Sequence, residues 1–155
     1  MGCVFDFQLV GEPPEELAAA AEAALDEVSR VESLLSRHDP ASEVSRLNRE
    51  AGQRMVQVDP EVLKLIVDCG QYGIRTAGHF DLTAPARGGQ LQPSDGLGAI
   101  LVDPERRFLR FSRPDIRLDF GGVGKGYALD RAATMLRRRA VHQGLRQAGP
   151  ALAPA

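Results

Sequence analysis

Four glycines and a lysine occupy six consecutive positions within the segment DFGGVGKGYALDRA, residues 119–132. The segment follows an apolar, strand-like stretch and precedes a helical pattern. Glycine-rich turns at such a junction let the backbone approach a phosphate group, and the following helix directs its positive end toward the same space. Asp119 and Lys125 place opposite charges on the two sides of the glycines. The segment is therefore a candidate phosphate-binding loop.

Two common phosphate-binding motifs do not fit this segment. A Walker A motif requires Gly where Asp119 stands and Ser or Thr where Gly126 stands. A Rossmann motif counted from Gly122 requires Gly or Ala where Tyr127 stands. The residues alone leave two interpretations open: a phosphate-binding loop, or a tight strand-to-helix turn whose glycines only permit positive φ.

Apolar spacing predicts the larger elements around this loop. Residues 3–9 alternate between apolar and polar types, which predicts a half-buried strand. A helix is predicted over 14–37, because after Pro14 one apolar stripe recurs at spacings of three and four: Leu17, Ala21, Ala24, Val28, Val31 and Leu35. The pairs Asp39-Pro40 and Asp59-Pro60 each predict a cap and a helix start. The second helix should bury Val62, Leu65, Ile66 and Cys69.

Shorter patterns complete the predicted architecture. We expect a polar loop over 76–85, an exposed mobile loop over 87–96, and three short strands within 97–120. A helix is predicted over 127–139, with a strand beginning near 141. Because helices and strands do not alternate strictly, the pattern favours an α+β fold, with a mixed or antiparallel sheet packed against helices, over a doubly wound sheet.

Composition excludes several functional classes. A net charge of −2, 5% aromatic residues and no Trp argue against a nucleic-acid-binding surface. Cys3 and Cys69 form no CxxC pair, which favours two free thiols over a zinc site or a disulfide. The first residues lack the pattern of a signal peptide or a membrane span. We therefore expect a cytoplasmic protein as the chain is given, or a membrane-anchored lipoprotein if an N-terminal signal was removed.

Four segments together resemble the ApbE-like flavin transferases, the FAD:protein FMN transferases formerly called thiamine biosynthesis lipoproteins. Residues 118–130 match the family pattern L-D-L/F-G-G-I/V-A/G-K-G-Y-A-x-D throughout. MGCVF at 1–5, SRHDPASEVSRLN at 36–48 and TAGHFDLTAP at 76–85 resemble further family segments in the same order. The resemblance implies an ApbE-like fold, with residues 1–145 forming its N-terminal part and 146–155 a divergent, disordered tail.

The resemblance also implies a reaction. FAD binds with its pyrophosphate on Mg²⁺, a threonine hydroxyl of a flavin-acceptor protein attacks the FMN-side phosphorus, and AMP leaves. Carried over by position, Asp119 and Lys125 are the catalytic residues, and the carbonyl of Gly122 is a metal ligand. The FAD contacts implied in the same way are Met1, His38, His79, Phe80, Asp81, Asp119 and Lys125.

Departures from the family pattern keep a second interpretation open. His38 and His79 stand where the family has an aromatic and a small residue, and the chain departs from the pattern again at Pro150. Family members continue for a similar length again, and that second half carries further magnesium ligands. The alternative is therefore a non-catalytic remnant or an FAD- or nucleotide-binding module on an incomplete fold. An uncovered strand edge or apolar patch would then favour self-association as a homodimer.

Overall fold

The computed structural model describes residues 4–11, 13–85, 97–141 and 143–149. The chain divides into two compact units. We call Met1–Glu32 together with Gly121–Ala155 the terminal unit, and Ser33–Phe120 the central unit. Across the described ranges, no helix is both long enough and apolar enough to cross a membrane.

The described residues of the terminal unit form an antiparallel strand pair, one helix and most of a second helix. Strand β1 (Val4–Val10) pairs with β7 (Gln143–Gly149), with Val4 opposite Gly149 and Val10 opposite Gln143. The strands approach closely at Gly144, where a Cβ atom would lie 2.6 Å from the carbonyl oxygen of Gln8. Strand β7 confirms the strand predicted near 141 and runs to Gly149, four residues into the segment expected to be a tail. The remaining tail residues, 150–155, lie outside the described residues.

Helix α1 (Pro14–Leu35) confirms the long amphipathic helix predicted from the apolar stripe, although it ends two residues earlier than expected. Ala24, Val28, Val31 and Leu35 of the stripe are buried. Glu27 is buried with them, its side chain only 8% exposed.

Glu27 ties α1 to helix α4 (Gly124–Arg138). Its carboxylate accepts two hydrogen bonds from Arg30, at 2.8 and 3.0 Å, and one from Nε of Arg131 in α4 at 2.7 Å. The hydrogen bonds from Arg30, together with a smaller contribution from the bond of Arg131, lower the pKa of Glu27 from 4.5 to about 2, although burial acts in the opposite direction. The group therefore stays ionised at neutral pH.

The start of α4 corrects the prediction for the glycine segment. The helix begins at Gly124 rather than at Tyr127, so Lys125 and Gly126 lie in its first turn and not in a loop. Glycine disfavours helix by about 1 kcal/mol, which is why the sequence predicted a later start. Gly124 is buried four residues before buried Ala128, so the buried face of α4 extends back through it. Packing of that face outweighs the local preference.

The central unit contains two helices and two further antiparallel sheets. Helices α2 (Glu43–Glu50) and α3 (Pro60–Arg75) flank strand β2 (Val56–Gln57) in the chain. That strand belongs to a three-stranded sheet in the order β2, β5 (Phe108–Phe111), β4 (Ile100–Asp103). A short 3-10 turn, Leu97–Ala99, leads into β4. The third pair, β3 (Thr83–Pro85) with β6 (Ile116–Leu118), is also antiparallel. The α+β class is confirmed, and the strands within the described ranges form three small antiparallel sheets.

Three local predictions for this unit have different outcomes. The predicted apolar face of α3 is buried, and Asp59 caps this helix as expected, its Oδ1 accepting from the backbone N of Glu61 at 2.8 Å. Asp39, however, does not cap α2. The cap is Ser42, whose Oγ accepts from the backbone N of Ser45 at 3.0 Å, while Asp39 closes the preceding turn through the backbone N of Ala41.

The segment 76–85 is not wholly a loop, because its last three residues form β3. Leu82 and Thr83 are buried, and the strand pairs with β6, which lies far away in the sequence. A three-residue strand carries too little periodicity to be predicted locally. The predicted mobile loop 87–96 lies outside the described residues.

Cys69 is a free, buried thiol, as expected, and burial raises its pKa to about 11. Cys3 lies outside the described residues.

Candidate functional site

Two of the predicted site carboxylates lie at the same end of the β3–β6 pair. Thr83 pairs with Leu118, and the backbone N of Asp119 donates to the carbonyl oxygen of Leu82 at 3.0 Å, which extends the ladder by one step. Asp81 and Asp119 therefore flank the same end of this pair, although the sequence separates them widely. The structure brings these two predicted FAD contacts together.

Asp81 is oriented by the first residue of β3. Its Oδ1 accepts from the backbone N of Thr83 at 2.8 Å and from the Thr83 hydroxyl at 2.7 Å. Because Thr83 is itself buried, these two bonds fix the carboxylate relative to the strand.

Asp119 forms an ion pair that the sequence did not predict. Nε of Arg37 lies 3.2 Å from Oδ2 of Asp119, and the two side chains are 52% and 33% exposed. Arg37 stands in the segment that resembles a family motif, but neither its position nor its residue type marks it as a partner of Asp119. Only the tertiary fold places it there.

The turn that carries Arg37 and His38 is held by serine hydroxyls. Oγ of Ser36 accepts from the backbone N of His38 at 3.2 Å and of Asp39 at 3.1 Å. The carbonyl oxygen of Ser36 accepts from the hydroxyl of Ser42 and, at 3.2 Å, from that of Ser45. The Ser36 side of Arg37 is thus fixed to the start of α2, and the His38 side is fixed to Ser36. His38, a predicted FAD contact, is exposed on this turn.

Asn48 holds the strand that leads to Asp119. Its Nδ2 donates to the carbonyl oxygen of Leu118 at 3.0 Å, and its Oδ1 accepts from the backbone N of Leu118 at 2.7 Å. Leu118 directly precedes Asp119, so this side chain sets the end of β6. Much of the segment 36–48 therefore acts as a brace for the site, a role that the sequence analysis did not assign.

The turn before Asp81 presents His79 and Phe80. After α3 the chain passes through two left-handed residues, Ala77 at φ 51° and Gly78 at φ 84°. Oγ1 of Thr76 accepts from the backbone N of Phe80 at 3.0 Å. The Phe80 ring packs edge-on against Tyr72, with centroids 6.3 Å apart. His79 is exposed and Phe80 half-buried beside the fixed carboxylate of Asp81.

The other predicted site residues belong to the terminal unit. Gly122 and Lys125 are both exposed there, and Lys125 lies in the first turn of α4. The first turn of α4 has no side-chain cap among the described residues, since Val123 at the cap position supplies none. Met1 lies outside the described residues.

The described residues do not by themselves form a magnesium site. Mg²⁺ requires about six oxygen ligands in near-octahedral geometry. Within the described ranges, no three His, Cys, Asp or Glu side chains gather as a metal-binding group. Asp81 already accepts two bonds through Oδ1, and Asp119 is paired with Arg37. The two carboxylates of the central unit would leave the ion's coordination incomplete.

Comparison with solved structures shows a shared fold. The apo form of the flavinyl transferase ApbE from Pseudomonas stutzeri is 21% identical, with a TM-score of 0.77 over 95% of this chain and 55% of that one. An ApbE protein from Thermotoga maritima is 24% identical, with a TM-score of 0.71 over 88% of this chain and 52% of that one. At these identities the likeness establishes the fold. The chain spans about half the length of each structure.

Comparison of sequences establishes the family. The FAD:protein FMN transferase of Chlamydia muridarum is 22% identical over an alignment of 129 residues, and the match covers 71% of this chain and 41% of that protein. A sequence model of the ApbE family matches residues 1–153. Since that match covers nearly the whole chain and its fold is shared with ApbE structures, this protein belongs to the ApbE family.

Proposed function

We propose that this protein acts in the transfer of FMN from FAD to a threonine hydroxyl of an acceptor protein. The hydroxyl oxygen forms a bond to the FMN-side phosphorus, the bond to the AMP-side oxygen breaks, and the hydroxyl proton is released. Family membership and the activity of the Chlamydia muridarum relative support the reaction class. The observation that carries the proposal for this chain is the pairing of β3 with β6, which brings Asp81 and Asp119 to one end.

Each proposed residue has a distinct role. The ammonium of Lys125 offsets negative charge on the pyrophosphate, and Asp119 accepts a hydrogen bond from a hydroxyl group at the site. Asp81 contacts FAD from a position fixed by Thr83. Met1 and His38 line the flavin, and His79 and Phe80 contact FAD. Magnesium, which would neutralise the pyrophosphate when bound, needs ligands beyond the described residues, and none of these roles depends on it.

A second candidate function is binding of FAD or a nucleotide without transfer. Two observations favour it: Asp119, a proposed catalytic residue, is engaged by Arg37, and the described residues lack a complete set of metal ligands. Both functions require FAD or nucleotide binding, and they differ in whether covalent FMN is formed.

Fluorescence titration with FAD tests the binding that both functions share. We expect saturable binding that Lys125→Ala weakens by about 1.5–3 kcal/mol, roughly ten- to 150-fold, because it removes a charge-assisted contact. Lys64→Ala is the matched control, since Lys64 is exposed on α3 and paired with Asp68. Equal affinities for the wild type and Lys125→Ala would remove Lys125 from the site.

A transfer assay separates the two functions. The protein is incubated with FAD, Mg²⁺ and a flavin-acceptor protein, and covalent FMN is detected by in-gel fluorescence. Labelling that disappears with Asp119→Ala supports the transferase, with Asp115→Ala as a control at an exposed carboxylate. FAD binding without labelling supports the binding module.

A further inference from the structure

We propose that Arg37 is a second cationic contact for the pyrophosphate of FAD, held in position by Asp119. The inference rests on the proposed FAD binding and adds a residue that neither the sequence pattern nor the family resemblance assigns. Its basis is the 3.2 Å contact between Nε of Arg37 and Oδ2 of Asp119, at the end of β6.

The backbone that carries Arg37 is fixed. Arg37 lies between Ser36, whose carbonyl oxygen accepts from two serine hydroxyls of the α2 start, and His38, whose backbone N donates to Ser36. Asp119 is held from its own side by the two bonds between Asn48 and Leu118. Both partners of the ion pair therefore emerge from braced backbone, so the guanidinium is positioned before a ligand arrives, which lowers the ordering cost of binding.

The local charge makes a cation necessary at this end of the β3–β6 pair. Asp81 and Asp119 contribute two carboxylates there, and a pyrophosphate adds further negative charge. Like charges within a few ångströms repel each other by an amount that rises as water is excluded. Arg37 supplies a cation against this end, and it offsets that repulsion.

The chemistry of the side chain suits this role. Arginine carries five N–H donors in a planar fork, and Arg37 contacts the Asp119 carboxylate through its Nε atom. The terminal nitrogens supply the paired donors that match phosphate oxygens, and half of the side chain is exposed to solvent. An ion pair this exposed contributes little to stability, so Arg37 can be replaced without unfolding the protein.

The test is fluorescence titration with two probes, FAD and riboflavin, which carries no phosphate. Arg37→Ala should weaken FAD binding on the order of ten- to a hundredfold and leave riboflavin binding within twofold. Arg37→Lys should recover part of the loss, because it keeps the charge and loses the fork. Arg113→Ala is the matched control: Arg113 pairs with Asp115 in the same unit and is 43% exposed, and its loss should change FAD binding less than twofold.

A double-mutant cycle distinguishes a direct contact from an effect through Asp119. In an Asp119→Asn background, Arg37→Ala should still weaken FAD binding severalfold. Loss of the Arg37 effect in that background would overturn the proposal, as would FAD affinity within twofold of the wild type for Arg37→Ala alone. Equal weakening of FAD and riboflavin would also overturn it, because it would indicate a packing role. A wild type that binds no FAD would refute the proposed function itself, and this inference with it.

Discussion

Replacing Glu27 with glutamine should destabilise the protein by about 2 kcal/mol at neutral pH and hardly at all near pH 2. The carboxylate is 8% exposed and accepts bonds from Arg30 and Arg131, which lower its pKa from 4.5 to about 2. A shift of that size corresponds to about 3 kcal/mol at 1.36 kcal/mol per pKa unit. The two arginines are 42% and 39% exposed, so solvent screening reduces the expected value to about 2 kcal/mol.

The pH dependence has a definite sign. Because the pKa of Glu27 is lower in the folded state than in the unfolded state, the stabilisation is complete above about pH 4.5. It declines as pH falls toward 2, where the folded state also takes up the proton. The difference between the wild type and Glu27→Gln should therefore shrink steadily across this window.

Urea denaturation followed by circular dichroism at pH 7, 5, 4 and 3.5 measures this difference. Glu22→Gln is the control, because Glu22 lies on the same helix and is exposed. The reasoning is refuted if Glu27→Gln is as stable as the control at pH 7. It is refuted equally if a deficit at pH 7 persists unchanged at pH 3.5, since the loss would then come from packing and not from charge.

Three further expectations concern the site and the strand pair of the terminal unit. Asn48→Ala should lower the free energy of unfolding by about 2 kcal/mol, because it removes both hydrogen bonds to the backbone of Leu118. A thermal melt indistinguishable from that of the wild type would contradict this expectation. Ser42→Ala should cost about 1 kcal/mol through loss of the α2 cap, whereas Ser29→Ala, at an exposed position, should cost little in the same melt. Sizing chromatography should show concentration-dependent self-association, because Val4 and Val10 are exposed on β1 and the described residues add no third strand to its sheet. A monomer at every concentration would argue against this expectation.

The sequence by itself determined the elements whose signals are local. The stripe from Leu17 to Leu35 predicted α1 because apolar side chains spaced three or four residues apart fall on one helical face. Asp59 and Pro60 predicted the start of α3 because the cap bonds span only two or three residues. The ordered match at 118–130, 36–48 and 76–85 identified the family for a similar reason, since each motif is contiguous in the chain.

Only the tertiary structure decided where the site residues meet. Asp81 and Asp119 come together because β3 pairs with β6, and strand pairing depends on partners far apart in the chain that three-residue strands do not specify. The start of α4 at Gly124 depends on burial of one helix face, which outweighs the low helix propensity of glycine. Arg37 reaches Asp119 because serine hydroxyls brace one turn and Asn48 holds the end of β6. The β3–β6 pairing and the Arg37–Asp119 ion pair join groups that are close in space and distant in sequence, so no local pattern could contain them.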